Sequence, residues 1–152
     1  MTKVAGLPKV NNILSRLMSF YENFSVEHLN ELDDFYTQDI EFTDPVHQVN
    51  GILSLKHYLK KMAANLTHYR IRYIDVMADD NKAYLTWEME FAHKSIRGGQ
   101  VITVRGMTRL EYTSRIYYHE DCYDMGALLY EHLPVIGGIT RSLKGRIAGQ
   151  AH

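Results

Sequence analysis

The chain has 152 residues, of which 45% are apolar and 23% charged, and its 18 acidic side chains nearly balance 17 basic ones. This length suits one domain with one hydrophobic core. The net charge of −1 argues against a nucleic-acid-binding domain, which needs a positive excess to neutralise phosphates.

Cysteine use and hydropathy indicate a cytoplasmic protein. Cys122 is the sole cysteine, so no intramolecular disulfide can form. The N-terminus has no apolar leader, and no segment approaches the roughly 20 apolar residues that span a bilayer. We therefore expect no membrane partner.

The first part of the chain predicts two helices. Apolar residues recur at every third or fourth position from Val10 to Phe24, which indicates one helix with a buried face. Ser25 can cap a second helix, whose inner face extends to Tyr36.

A short extended segment follows. It covers Asp39–Asp44 and ends at Pro45, because the residue before a proline is disfavoured in helical geometry. A third helix is predicted from Gly51 to Leu66, with an apolar stripe on one face and lysines on the other.

After Asn65 the sequence changes from a helical to an alternating period, which predicts a run of antiparallel strands ending with Ile116–Tyr123. Turns at Asp79–Asn81 and Arg97–Gly99 divide the run. Gly106 lies inside a strand, where a glycine allows a bend and the close approach of another group. Such a sheet can curve around a cavity.

Helical patterns return at Met125–Leu133 and, more weakly, at Ile136–Ile147. Helices, then strands, then helices is the segregated order of an α+β domain. We predict a single domain over residues 1–152, with a core of about 10–133 and a helical C-terminal extension over 134–152.

Asp44 is the first candidate catalytic residue. The segment Asp39–Val46, after a helix rich in Leu and Phe, resembles ketosteroid isomerases, in which the aspartate before the proline is the general base. The resemblance implies that role for Asp44; alternatively, its side chain only initiates a turn. The tyrosine donor of that family falls on Phe20, one place from Tyr21, which we take as the candidate.

The second acid of the isomerases falls near Thr108, where the sequence has no carboxylate. Without both donors an oxyanion loses several kcal/mol of stabilisation, on the order of magnitude seen for oxyanion holes. The resemblance therefore does not imply steroid isomerisation.

Asp124 is the second candidate. The segment Asp124–Leu129 is similar to the closing segment of SnoaL-like polyketide cyclases, which implies an acid and base role for Asp124. Alternatively, it caps the helix that begins at Met125. Alternation places Asp124 on one strand face with Tyr118, Glu120 and Cys122, and it places Tyr117, His119, Asp121 and Tyr123 on the other. Only one set can face the cavity.

Aromatic side chains supply the candidate substrate-binding residues, which are Phe20, Tyr36, Tyr58, Trp87, Phe91 and Tyr118. A carboxylate enclosed by such rings has its charged form destabilised, which raises its pKa toward the range useful for proton transfer. Trp87 has the alternative of a plain core residue. The eight histidines show no metal-ligand spacing, so no metal and no cofactor is predicted.

Both resemblances lie within the nuclear transport factor two-like superfamily. They imply a cone-shaped, curved antiparallel sheet closed by the N-terminal helices, an apolar small-molecule ligand, and a homodimer formed through the outer sheet face. We expect an acid/base isomerase or cyclase acting on an apolar carbonyl compound. The alternative is a non-catalytic ligand- or protein-binding module, because this fold serves unrelated functions.

Overall fold

The computed structural model describes residues 11–124. Its helices are α1 (Asn11–Glu22), a 3-10 helix (Val26–Glu31), α2 (Leu32–Phe35), α3 (Ile52–Ala63) and a short 3-10 turn (Arg97–Gly99). Its strands are β1 (Tyr36–Thr43), β2 (Gln48–Asn50), β3 (Leu66–Ala78), β4 (Lys82–His93), β5 (Ile102–Tyr112) and β6 (Ile116–Tyr123). Both predicted C-terminal helices lie outside the described residues. Within 11–124, no helix is long and apolar enough to cross a membrane.

The predicted second helix is shorter and more irregular than expected. Ser25 caps it as anticipated, since its hydroxyl accepts a hydrogen bond from the backbone N–H of Glu27 at 3.3 Å. The helix is of the 3-10 type at first and ends at Phe35. Tyr36 was expected on its inner face, but it begins β1 with extended backbone angles and pairs with Ile116 of β6.

The six strands form one sheet in the order β2-β1-β6-β5-β4-β3. The pairs β3–β4, β4–β5 and β5–β6 are antiparallel, as the alternating pattern predicts. The expectation of a wholly antiparallel sheet is wrong at one place, because β1 and β6 run parallel. The sheet is mixed, curved and not closed on itself. The α+β class is confirmed.

The three α-helices cover one face of the sheet and form the core with it. Leu17, Leu32 and Leu55, one from each helix, are fully buried with Leu85 and Leu110 of the sheet. Alternation along each strand sends one set of side chains into this core and leaves the other outside. The inner face is therefore the place to look for a site.

Gly106 makes room for a neighbouring side chain. A Cβ atom at this position would lie 2.3 Å from Cη2 of the Trp87 indole. Trp87 is directly opposite Gly106 in the β4–β5 register and is 4% exposed. The room that the glycine leaves in the sheet is thus filled by Trp87.

The outer face carries paired charges. Glu88 bonds Arg72 at 3.3 Å and Arg105 at 3.1 Å across neighbouring strands. Glu111 bonds Arg109 at 3.0 Å and lies 3.7 Å from Lys82. Exposed pairs of this kind contribute little to stability, so they mainly keep this face polar.

Candidate active site

A chain of hydrogen-bonded side chains runs through the interior from α1 to β4; we call it the polar chain. Tyr21 Oη lies 2.9 Å from Tyr36 Oη, and Tyr36 Oη lies 2.7 Å from His119 Nδ1. His119 Nε2 lies 2.8 Å from Asp121 Oδ1. In order, the members of the polar chain are Tyr21, Tyr36, His119, Asp121, Thr108 and Trp87.

Trp87 is at the end of the polar chain opposite to Tyr21. Its indole N–H donates to Thr108 Oγ1 at 2.9 Å, and the Thr108 hydroxyl donates to Asp121 Oδ1 at 2.6 Å. The register brings these groups together, because Thr108 lies directly opposite Asp121 in the β5–β6 pair. Two strands therefore hold one carboxylate oxygen.

The direction of these hydrogen bonds follows from chemistry. An indole can only donate and an ionised carboxylate can only accept, so the hydroxyl hydrogen of Thr108 must point to Asp121. With Asp121 ionised and His119 neutral, His119 donates from Nε2, and its Nδ1 accepts the hydroxyl hydrogen of Tyr36. Tyr36 in turn accepts from Tyr21.

The two oxygens of Asp121 differ in their hydrogen bonds. Its Oδ1 takes two hydrogen bonds, whereas Oδ2 takes none from residues 11–124. The side chain is 22% exposed, while His119 beside it is 2% exposed. A carboxylate held on one side and open on the other can accept a proton from a bound molecule.

The negative charge of this carboxylate acts on six buried or partly buried tyrosines; we call them the interior tyrosines. Burial is the largest cause that raises the pKa of each, and the negative charge of Asp121 raises it further. They are Tyr21, Tyr36, Tyr58, Tyr69, Tyr73 and Tyr123. Asp121 thus lies within electrostatic reach of phenols from α1, α3, β1, β3 and β6.

The interior tyrosines predict a specific response to alkali. Because their pKa values in the folded protein exceed the ordinary value of about 10, the folded state favours the neutral phenol. That contribution to stability is present below about pH 10 and is lost as the pH rises toward the folded-state values. We expect the ultraviolet absorbance of phenolate to appear in two phases, with the late phase accompanying unfolding. A single phase near pH 10 in the native protein, matching that of the denatured chain, would contradict this picture.

Asp44 is buried, with 9% exposure, and both of its oxygens are occupied. Oδ1 accepts the backbone N–H groups of Val46 and His47, each at 2.8 Å, and Oδ2 accepts the hydroxyl of Tyr58. Asp44 therefore does form the turn that the sequence offered as its alternative role. The charge of Asp44 also acts on Tyr123, whose raised pKa is due first to burial and then to Asp44 and Asp121. Tyr58 and Tyr123 therefore lie within reach of both carboxylates.

Four other candidates lie away from the polar chain or at its margin. Phe20 packs on Tyr21 in the core, with ring centroids 5.1 Å apart. Phe91 belongs to a separate apolar group with Ile96 and Ile102. Tyr118 lies on the opposite face of β6, where it donates to Glu120 at 2.7 Å. Asp124 follows the end of β6 and is exposed.

Sequence reasoning did not select His119, Asp121 and Thr108. The first two were recognised as one of two possible faces of the last strand, and alternation alone cannot say which face is buried. Thr108 marked the position where a second acid was sought. The structure places the carboxylate of Asp121 there, from the neighbouring strand.

Neither of two surface depressions involves these groups. One, of about 470 Å³, lies beside Arg16 and Arg115, and the other, of about 510 Å³, lies beside Leu53 and His57. Across the part of the chain that the structure describes, no three His, Cys, Asp or Glu side chains are arranged to hold a metal ion.

Comparison with known proteins places the fold. The family model described as SnoaL-like domain matches residues 18–115. No relative was found among curated proteins. A SnoaL-like polyketide cyclase structure from Jannaschia sp. CCS1 superposes with a TM-score of 0.70 at 10% identity, covering 82% of this chain and 94% of that one.

Two further structures are similar. A polyketide cyclase structure from Acidithiobacillus ferrooxidans has a TM-score of 0.65 and 19% identity, with 87% of this chain and 97% of that one covered. TerC, co-crystallised with polyporic acid, has a TM-score of 0.65 and 14% identity, with 76% and 94% covered. At these identities the likeness concerns the fold, and the family match ends before His119 and Asp121.

Proposed function

Because this chain belongs to the SnoaL-like domain family, we propose that it binds an apolar carbonyl compound and moves a proton at the carbon next to the carbonyl group. The observation that carries the proposal is the carboxylate of Asp121. Its Oδ1 is held by Thr108 and His119, its Oδ2 takes no hydrogen bond from residues 11–124, and its side chain is 22% exposed.

Asp121 acts as the general base. Its Oδ2 takes the proton, the electron pair of the C–H bond moves toward the carbonyl carbon, and negative charge develops on the carbonyl oxygen. A phenol donor steadies that oxygen best where water is excluded. Tyr21, at the end of the polar chain, is the candidate donor.

We assign the role of base to Asp121 rather than to Asp44 or Asp124, the two aspartates that the family resemblance indicates. Asp44 already accepts three hydrogen bonds, two of which form a turn. Asp124 lies past the end of β6 and is exposed. Asp121 differs from both in being partly buried with one oxygen that accepts no hydrogen bond from residues 11–124.

The surrounding groups favour a flat cyclic substrate. Tyrosine rings pack against planar molecules, and their hydroxyls can hydrogen-bond to ring oxygens. A protein of the same fold, TerC, was co-crystallised with polyporic acid. A bicyclic ketone such as 2-tetralone is therefore a suitable first probe.

Deuterium exchange tests the proposal directly. In heavy water, the protein is expected to accelerate exchange of the hydrogens beside the carbonyl of 2-tetralone, with a rate that saturates with ketone concentration, as followed by proton NMR. Binding of the ketone without any acceleration would instead favour the non-catalytic module. Neither binding nor exchange across a panel of cyclic ketones would reject the carbonyl substrate class.

Pairing of two copies through the outer face of the sheet stays a prediction. That face presents the paired charges of Glu88 and Glu111 beside the exposed side chains of Met107 and Tyr84. The family resemblance remains its only support.

A further inference from the structure

The polar chain between Tyr21 and Asp121 can exist in two directions. Each phenol hydroxyl donates one hydrogen and accepts others, and a neutral histidine can carry its hydrogen on either ring nitrogen. With Asp121 ionised and His119 neutral, every donor points toward Asp121, and the hydrogen of Tyr21 is used by Tyr36. If His119 Nδ1 carries a hydrogen, it donates to Tyr36, Tyr36 donates to Tyr21, and the hydroxyl hydrogen of Tyr21 is released.

The geometry suits such a reversal. The two contacts that must change direction measure 2.9 Å and 2.7 Å, so both directions keep good hydrogen bonds without movement of heavy atoms. Tyr36 is 0% exposed and His119 is 2% exposed. Burial keeps solvent from satisfying either group separately, so their hydrogens are ordered together.

We propose that Tyr21, Tyr36 and His119 form a proton relay that makes Tyr21 a hydrogen-bond donor when the His119–Asp121 pair gains a proton. The inference rests on the proposed function in one respect, since it assigns the two ends of the relay to the base and to the donor of one reaction. Tyr36 and His119 are positioning residues in this arrangement.

The protonated His119–Asp121 pair keeps the base and prepares the donor. When solvent supplies a proton to His119 Nδ1, the ring keeps its hydrogen on Nε2, so it donates both to Asp121 Oδ1 and to Tyr36. Asp121 stays a carboxylate, and its Oδ2 can still take the substrate proton. The Tyr36 and Tyr21 hydroxyls turn away from His119, each keeping its own hydrogen, and the Tyr21 hydrogen is directed to the enolate oxygen. One proton is thus taken from solvent by His119, and one moves from the substrate carbon to Asp121.

Ionisable groups from several elements face the relay. They are Glu22 of α1, Tyr58 of α3, Tyr69 and Tyr73 of β3, Tyr123 and Asp121 of β6, and Asp44 after β1 with His47 near Tyr58. Burial raises the pKa of the facing phenols above their ordinary value, so they remain neutral near pH 7. The other ionisable groups that face the relay are carboxylates and imidazoles, those of Glu22, Asp44 and Asp121 and of His47 and His119.

An NMR titration without substrate tests the relay. The protein is labelled with ¹⁵N in histidine and ¹³C at Cζ of tyrosine, and the pH is varied over the range in which it stays folded. We expect the Cζ signals of Tyr21 and Tyr36 to shift with the same midpoint as the protonation of His119 Nδ1. A Tyr21 Cζ signal that does not shift when His119 is protonated in the wild type would overturn the relay.

Variants test whether the shift at Tyr21 requires the hydrogen bonds through Tyr36 or arises only because His119 is nearby. In Tyr36→Phe, protonation of His119 is still expected to be seen in its ¹⁵N signals, while the coupled shift of the Tyr21 Cζ signal is lost. Tyr123→Phe is a matched change outside the polar chain, and there the coupled shift of Tyr21 is retained. If Tyr36→Phe does not fold, His119→Gln is expected to remove the step from both Tyr21 and Tyr36. An undiminished step at Tyr21 in either relay variant contradicts the proposal. None of these readings depends on ketone exchange, so failure of the relay and failure of the proposed function are distinguishable.

Discussion

Asp121→Asn is expected to slow deuterium exchange of 2-tetralone by about 10²–10⁴-fold, the usual contribution of a positioned general base. The amide keeps the shape of the carboxyl group, and its oxygen can still accept from Thr108 and His119. It has no basic oxygen to offer the substrate. The loss should therefore fall on the rate constant at saturation rather than on ketone binding.

Asp44→Asn is the matched control in the same assay. It removes one charge from the same interior, but from a carboxylate whose two oxygens already hold Val46, His47 and Tyr58. Exchange should stay within a few-fold of the wild type, while the free energy of unfolding falls because a buried turn loses a charged acceptor, an effect on the order of 1–3 kcal/mol. The opposite result, in which Asp44→Asn abolishes exchange and Asp121→Asn retains it, would return the base role to Asp44.

Gly106→Ala is expected to lower the free energy of unfolding by about 1–3 kcal/mol, the typical penalty for overpacking. The new methyl group would lie 2.3, 2.4 and 2.8 Å from three atoms of the Trp87 ring. Trp87 is buried and tied to Thr108 by its indole N–H, so it cannot move away without losing that bond. Urea unfolding measures the cost.

A double-mutant cycle identifies Trp87 as the cause. Trp87→Leu removes the ring that the new methyl group would strike, so the additional cost of Gly106→Ala should disappear in that background. An equal cost of Gly106→Ala with and without Trp87 would show that the destabilisation arises elsewhere. Unfolding of Gly106→Ala within about 0.5 kcal/mol of the wild type would refute the close packing itself.

Local pattern was sufficient to predict most of the fold. The helical period of α1, the stripe of α3 and the alternation from β3 to β6 are each carried by neighbouring residues. The parallel pairing of β1 with β6 joins segments about 80 residues apart, as Tyr36 and Ile116 show. No local pattern encodes that contact, and the family resemblance supplied the general form of the sheet but not this register. The short strand β2 has three residues, too few for a recognisable period.

Only part of the site could be predicted, because residue type is visible in the sequence and long-range pairing is not. Aromatic residues indicated which side chains would be buried together, and the structure brings Tyr21, Tyr36 and Trp87 into one hydrogen-bonded chain. Choosing Asp121 required knowing which face of β6 is buried and how β5 and β6 are aligned. Both depend on the tertiary structure and not on local sequence. Asp44 has a conspicuous local signal, the following proline, and in the structure that signal accompanies a turn.

A crystal structure of the protein with bound 2-tetralone measures the central claim most directly. We predict that the ketone lies among the interior tyrosines, with a carbon beside its carbonyl within about 3.5 Å of Asp121 Oδ2, the separation of a reactive pair. Density for the ketone only in a surface depression, or a protein donor hydrogen-bonded to Asp121 Oδ2 in its place, would contradict the assignment of Asp121 as the base.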